Sequence, residues 1–272
     1  MEVLIPNPGI GKVAVQLAAK TPRKRLKLRT IIKNFPEVQN NKRCLDIGTS
    51  HGGLAYYFSK KGNWCFVDSN QNNLDVASTI LNGEFYCQDA LSFFKSFNGF
   101  SLITCFDTIM YFDNPDELLK LFFNALLQDG HILVTGTEGD RHNLLIRVRE
   151  HLGLEKAHQF KIQITGLEMI ELLKTAGFTI MVYAPFCGFF TELLQTILDY
   201  ITSKNRAGQK GLVPDLVEND GQRLPKYWQL CVINYLSIFC QAIDFLLPVN
   251  PKYGYLITAR KSFDKRVNNN LG

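Results

Sequence analysis

Arg43-Cys44-Leu45-Asp46-Ile47-Gly48-Thr49-Ser50-His51-Gly52-Gly53-Leu54 is the stretch whose reading decides the fold. A short apolar run carries one acid, Asp46, and breaks into a glycine-bearing loop; a helical pattern then opens at Gly52. Strand, tight turn and helix start in that order make a place where a ligand can approach the backbone. Glycine removes the Cβ obstacle, and a helix start presents unpaired N–H groups. The next apolar run, Trp64-Cys65-Phe66-Val67, ends on Asp68. That acid lies about twenty residues on, where doubly wound sheets place a carboxylate against ribose hydroxyls.

Working outward, strand and helix patterns alternate. Leu54 to Lys61 reads as a helix and Trp64 to Val67 as a buried strand. Leu74 to Leu81 is helical, Glu84 to Cys87 a strand, and Ala90 to Phe97 a short helix. Ser101 to Cys105 is the fourth strand. Asn114-Pro115-Asp116-Glu117 starts a helix, with Asn as cap, Pro in the first turn and acids complementing the dipole. That helix runs to Leu127 and stops at Gln128-Asp129-Gly130; His131 to Thr135 is the fifth strand. Thr165-Gly166-Leu167-Glu168 is a capping-box pattern opening Met169 to Ala176. Phe178 to Tyr183 and Tyr253 to Arg260 are the last two strands. Such alternation predicts a parallel sheet covered on both faces.

Composition narrows the class. The 272 residues suit one large α/β domain or one with an insertion, and the net charge of +5 permits anionic partners without demanding them. The seven cysteines sit mostly in apolar runs and form no C-x-x-C pair, so they read as reduced core thiols of a cytoplasmic protein. The five histidines show no metal-ligand spacing, and no metal is expected. No secretory signal pattern opens the chain.

Leu45-Asp46-Ile47-Gly48-Thr49-Ser50-His51-Gly52 resembles the first motif of class I S-adenosylmethionine-dependent methyltransferases, an acid followed by G-x-G-x-G, with Ser50 at the middle glycine. The resemblance covers roughly residues 40 to 185 plus a final strand. It implies a Rossmann-like, doubly wound sheet of seven strands with the last antiparallel, and S-adenosyl-L-methionine as cofactor. It implies that Asp46, Gly48, Ser50 and Gly52 shape the loop at the methionine end. Asp46 reads equally as a carboxylate that orders the loop without touching cofactor. Asp68 looks like the ribose ligand, with Ser69 beside the adenine. Asp89, ahead of Ala90, looks like the contact to the adenine amino group; its plain alternative is the cap of the Ala90 helix. Phe106-Asp107-Thr108-Ile109-Met110-Tyr111 follows the fourth strand and corresponds to the segment that lines the methyl end. Asp107 and Tyr111 are candidates for the acceptor pocket, and His158, ahead of the Thr165 helix, for a base or orienting group. No Asn-Pro-Pro-Tyr-like tetrad is present, which argues against methylation of DNA bases or protein glutamine.

Two regions stand outside this frame. Residues 1–40 form an N-terminal helical segment expected over the cofactor site. In it, Pro22 to Phe35 carries an apolar stripe, Leu28, Ile31, Ile32 and Phe35, on an otherwise basic helix. The plain reading is a helix at the sheet edge with a solvated basic face; the sharper one is contact with anionic lipid or RNA. The methyltransferase domain is then 41–186 with 250–264, and about 65 residues separate its last two strands, too many for a hairpin loop. The inserted residues 187–249 hold helical patterns at Thr191 to Thr202 and Tyr227 to Leu247, with a polar stretch, Ser203 to Arg223, between them. In the second helix Asn234, Ser237, Gln241 and Asp244 share one narrow stripe and nearly everything else is apolar. A membrane span is set aside, because both ends must return to one sheet and the polar stripe is costly in lipid. A buried or dimer-forming helix and a membrane-docking or lipid-binding one stay open.

The leading expectation is methyl transfer to a small-molecule or lipid-like acceptor, at oxygen or carbon. An RNA methyltransferase using the basic helix and a non-catalytic cofactor-binding protein are the alternatives. The lysine-aspartate-lysine-glutamate tetrad that the RNA reading requires cannot be placed.

Overall fold

In the computed structural model, which describes residues 8–138, 143–154, 161–204, 227–247 and 252–262, the apolar runs become strands covered on both faces. β1 (Arg43–Ile47), β2 (Asn63–Asp68) and β4 (Phe100–Phe106) are buried along nearly their whole length, which is why they read as continuous rather than alternating apolar runs. With β3 (Glu84–Cys87), β5 (Leu126–Thr137), β6 (Phe178–Phe186) and β7 (Gly254–Lys261) they form one sheet of order β3-β2-β1-β4-β5-β7-β6. β1 to β5 are parallel; β7 is antiparallel to both β5 and β6. The order reverses between β1 and β4, so a crevice opens at the carboxyl ends of those two strands.

Helices cover both faces. On one face, α5 (Ala90–Phe93), α6 (Pro115–Ala125) and α8 (Gly166–Thr175) bury Phe93, Phe122 and Leu173 with Leu45, Ile103 and Ile257. On the other, α2 (Pro22–Asn34) and α3 (Ala55–Phe58) bury Ile31 and Phe58 with Trp64, Phe66, Leu102 and Leu256. The Asn114 cap and the Thr165–Glu168 capping box form as the sequence predicts. α4 (Gln71–Ser78) is capped by Asn70.

Several boundaries move. The helix after the glycine loop is only Ala55–Phe58, and α1 (Pro8–Lys20) lies against Gly53 ahead of it: a Cβ there would stand 2.5 Å from the Ala14 carbonyl oxygen. β5 begins at Leu126, which pairs with Phe100 before an irregularity that carries Asp129 at φ +60°. α7 (Leu144–His151), unexpected from the sequence, is capped by Asn143 and buries Leu145, Ile146 and Arg149. Cys44, Cys65, Cys105 and Cys187 are buried, but Cys87 is exposed and is no core thiol.

The insertion supplies α9 (Phe189–Lys204) and α10 (Tyr227–Leu246), which pack on each other and on α1 and α2. Most of the polar stretch between them lies outside the described residues. The basic face of α2 is not simply solvated: Lys27 is buried and Arg23 is ion-paired to Glu192 of α9. A cation turned toward the sheet is held there by partners that lie far away in sequence.

Candidate active site

The loop after β1 turns on three residues with left-handed backbones, Gly48 (φ +76°), Ser50 (φ +51°) and Gly52 (φ +74°). At Gly48 a Cβ would meet the Thr108 hydroxyl at 2.1 Å, so only glycine lets the loops after β1 and β4 close on each other. Ser50 adopts the turn despite its side chain, at a cost of about 1 kcal/mol. Its backbone N–H donates to Asp68 Oδ2 at 2.8 Å.

Asp68 is the hub of the turn after β2. Its other oxygen accepts from Asn70 N (2.9 Å) and Asn73 Nδ2 (3.1 Å). An ionised carboxylate offers about four acceptor positions, so three donors leave capacity for a ribose hydroxyl. The half-buried site fits that group. Ser69 follows and is exposed. Gln88 N donates to the Asp68 carbonyl (3.2 Å), and Cys87 Sγ to the Ser69 carbonyl (3.7 Å), which brings Asp89 beside the same loop. Asp89 Oδ1 caps α5 by accepting from Ser92 N at 3.0 Å, and Ala90 is buried beneath it. Bonding to Ser92 holds the Asp89 carboxyl below its usual range.

Asp46 and His51 lie deeper. Asp46 is buried and accepts from the Thr104 hydroxyl of β4 at 2.7 Å. Burial pushes its carboxyl up to about 6, against the pull of that bond. Thr49 Oγ1 donates to the Asp46 carbonyl (3.1 Å), so this residue orders the loop from below. His51 is buried with Nδ1 3.2 Å from Ser50 Oγ; burial, with Lys24 nearby, lowers it to about 4 and leaves it neutral at pH 7.

The loop after β4 lies across the crevice. Asp107 leaves β4 at φ +56°, donating its N–H to the Thr135 carbonyl (3.0 Å) and accepting from Thr135 Oγ1 (3.0 Å). Its second carboxylate oxygen is ion-paired with Lys27 of α2. Burial, with Arg23 and Lys24 alongside, pulls the Lys27 ammonium well below the usual lysine range. Tyr111, on a single 3-10 turn, is 44% exposed, while the Phe106 ring packs edge-on against Phe58. His158 lies outside the described residues.

α2 therefore roofs the site, and the insertion braces the roof. Arg23 Nε donates to Glu192 Oε2 at 2.9 Å, and Arg23 makes a second, shorter contact to Oε1. Arg149 Nη1 lies 3.5 Å from Glu192 Oε1 and 2.9 Å from Asp199 Oδ2. Arg25 donates to Asn234 Oδ1 of α10 at 2.5 Å. Sequence reasoning missed Lys27, Arg23, Arg149 and Glu192 as parts of the site. For Lys27 a signal existed: it stands four residues before Ile31 and so on the buried stripe of α2. Among the described residues, no group of three or more His, Cys, Asp or Glu side chains is placed to hold a metal ion.

A five-strand parallel run ending in a reversed strand, with a glycine turn and a carboxylate at its switch point, defines the class I fold of S-adenosylmethionine-dependent methyltransferases. A family model described as a methyltransferase domain matches residues 19–182, and the chain belongs to that family, with S-adenosyl-L-methionine as its methyl donor. A comparison with curated proteins returns no significant match. Among solved structures, phosphoethanolamine N-methyltransferase 2 of Haemonchus contortus, in complex with S-adenosyl-L-methionine, matches at TM-score 0.60 and 18% identity, over 96% of this chain and 59% of that one. A SAM-dependent methyltransferase from Archaeoglobus fulgidus matches at TM-score 0.54 and 14% identity, over 86% and 93% of the two chains. The YcgJ protein of Bacillus subtilis matches at TM-score 0.54 and 19% identity, over 87% and 98%. At these identities the likeness is one of fold.

Proposed function

We propose that the chain methylates oxygen or carbon of a small-molecule or lipid-like acceptor bound beneath α2. The observation that carries this reading is the Lys27–Asp107 contact, which brings a covering helix down onto the loop after β4. When bound, the sulfonium supplies an already activated methyl group, so the protein's task is alignment and removal of the acceptor proton. Asp68 holds the ribose, Asp89 and Ser69 flank the adenine, and the Gly48 to Gly52 turn wraps the methionine end. An acceptor hydroxyl placed beside Asp107 would give its proton to that carboxylate as its oxygen takes the methyl group, with Lys27 holding the carboxylate in place. Tyr111 borders the open side of this pocket. His158 is the second candidate base.

The RNA reading is weakened by the fate of the basic helix. Arg23, Arg25 and Lys27 are all engaged inside the protein, which removes half of its six Lys and Arg residues from any phosphate-binding face. Incubation with methyl-labelled S-adenosyl-L-methionine and separate lipid, small-molecule and RNA fractions tests the assignment. Label in a lipid or small-molecule product is expected. Label confined to RNA would overturn it, and cofactor binding without transfer to any fraction would favour the non-catalytic alternative.

A further inference from the structure

α10 is built inside out. Its 20 residues extend about 30 Å. The polar stripe that would normally face water is turned toward the protein. Asp244 accepts from Phe190 N (2.8 Å), Thr191 N (3.0 Å) and Thr191 Oγ1 (2.6 Å), tying α10 to the first turn of α9. Ser237 is buried against the Lys20 carbonyl, and Asn234 takes the guanidinium of Arg25. The opposite face is apolar and open: Trp228 is 61% exposed, Tyr235 72%, Phe239 64% and Leu246 73%, with Val232 and Leu236 between them. Trp228–Leu246 has a mean hydropathy of 1.4 yet is only 17% buried. α9 adds Ile197 and Ile201 to the open surface. An apolar surface of this length on a domain whose own core is complete is a docking surface.

The charges beside it select the occupant. Arg25, Arg29 and Lys33 recur at helical spacing along α2, and Arg25 places that stripe alongside the middle of α10. Arg29 and Lys33 are exposed. Neither α1 nor α2 contains an acid. Asp244, the one acid of α10, faces inward, and those of α9, Glu192 and Asp199, are ion-paired to Arg23 and Arg149. A second copy of this face would bring no unengaged acid to the basic stripe, since the acids of α9 and α10 are already bonded within the chain. An anionic bilayer supplies both missing complements: acyl chains for the apolar face and acidic headgroups for the stripe. Trp228 and Tyr235 have the amphipathic rings favoured at that boundary.

We propose that α10 lies in the surface of an anionic membrane, apolar face down, with the exposed Arg29 and Lys33 of α2 on the headgroups. The inference concerns a partner surface and stands whatever the acceptor is. The helix does not cross the bilayer, since Asp244 and Asn234 remain bonded to the domain. Flotation of the full chain with vesicles tests it without any methyl transfer. Retention on phosphatidylcholine vesicles containing phosphatidylglycerol is expected, falling steeply with salt and weak on phosphatidylcholine alone. Tyr235→Ser and Phe239→Ser should each reduce partitioning about tenfold or more, by loss of apolar burial. Arg29→Glu with Lys33→Glu should remove the preference for acidic lipid. These side chains are exposed, so an unchanged circular dichroism spectrum separates lost docking from lost fold. No retention on either vesicle, or retention indifferent to Phe239→Ser, would overturn the proposal. So would a concentration-dependent dimer in sedimentation that Phe239→Ser abolishes, which would give the face to a second copy.

Discussion

The buried ammonium of Lys27 meets the carboxylate of Asp107, a residue held in a left-handed backbone conformation where β4 ends. The contact joins the N-terminal helix to the loop that follows the fourth strand, 80 positions away. It makes the covering helix a wall of the reaction space. It also gives Asp107 a defined orientation, because Thr135 holds the other carboxylate oxygen.

Lys27→Met removes the cation and leaves Asp107 facing an apolar side chain. Lys27 is 6% exposed and Asp107 32%, so the loss is that of a partly screened pair, about 1–3 kcal/mol. Urea unfolding measures it. Asp107→Asn in the Lys27→Met background should recover part of the loss, since the uncompensated charge is then gone. Turnover should fall in both single variants with cofactor affinity nearly unchanged. Additive stability losses in the double variant would show that the two groups do not interact.

Asp68→Asn removes the charge and replaces one of the two acceptor oxygens with an NH2 group, so either Ser50 N or the Asn70 and Asn73 donors lose their acceptor. A charge-assisted bond to a ribose hydroxyl is worth about 1.5–3 kcal/mol, so affinity for S-adenosyl-L-methionine should fall roughly ten- to a hundredfold in calorimetry. Asp89→Asn should give a smaller loss, because its carboxylate is shared with the α5 cap. Unchanged affinity in Asp68→Asn would remove this residue from the cofactor site.

Asp46 and His51 tilt acid stability in opposite directions. Burial raises Asp46 from 3.8 to about 6. Across that window the folded chain keeps a proton that the unfolded chain has released, so stability falls as pH rises. Burial lowers His51 from 6.5 to about 4; there the unfolded chain takes up a proton that the folded chain refuses, so stability falls as pH drops. Each contribution is on the order of 3 kcal/mol, and the two offset where they overlap. Asp46→Asn should therefore lose stability on acidification more steeply than the parent, and His51→Gln less steeply. Urea midpoints measured between about 4 and 6.5 check this. Parallel curves for all three proteins would refute it.

What the sequence disclosed follows from how local each signal is. Strands buried on both faces advertise themselves as apolar runs, and the glycine turn, the Asn114 cap and the Thr165 capping box are written in adjacent residues. The placement of Asp68 and Asp89 on neighbouring loops follows from the β2–β3 pairing once the strands are found. α7 was hidden because Arg147, Arg149, Glu150 and His151 break its apolar pattern, and Arg149 is buried against Thr196, Asp199 and Glu192 of α9, far away in sequence. The stripe Asn234, Ser237, Gln241 and Asp244 was legible as a stripe, but its direction was not. Spacing says which residues share a face, while the partners that turn that face inward, Arg25 and the α9 start, lie elsewhere in the chain. Lys27 was likewise one basic residue among six until packing singled it out.

Glu192 is the point at which the insertion holds the roof. It is fully buried and receives Arg23 of α2 and Arg149 of α7, with Cys187 Sγ also donating to Oε2 at 3.4 Å. Glu192→Gln preserves shape but leaves Arg23 buried without its counter-charge, whereas Arg149 keeps Asp199. The expected loss is about 3 kcal/mol in urea unfolding, and Arg23→Met should restore part of it in the double variant. The consequence for the site is specific. With Arg23 released, the first turn of α2 loosens and carries Lys27 with it, so amide exchange should quicken across residues 22–34 and turnover should drop. Affinity for S-adenosyl-L-methionine should hold, because Asp68 and the glycine loop are tied to β2 and α4 rather than to α2. A stability loss below about 1 kcal/mol, the size of a surface pair, would mean that Glu192 does not brace the helix. A fall in cofactor affinity equal to the fall in turnover would place the effect at the wrong end of the crevice.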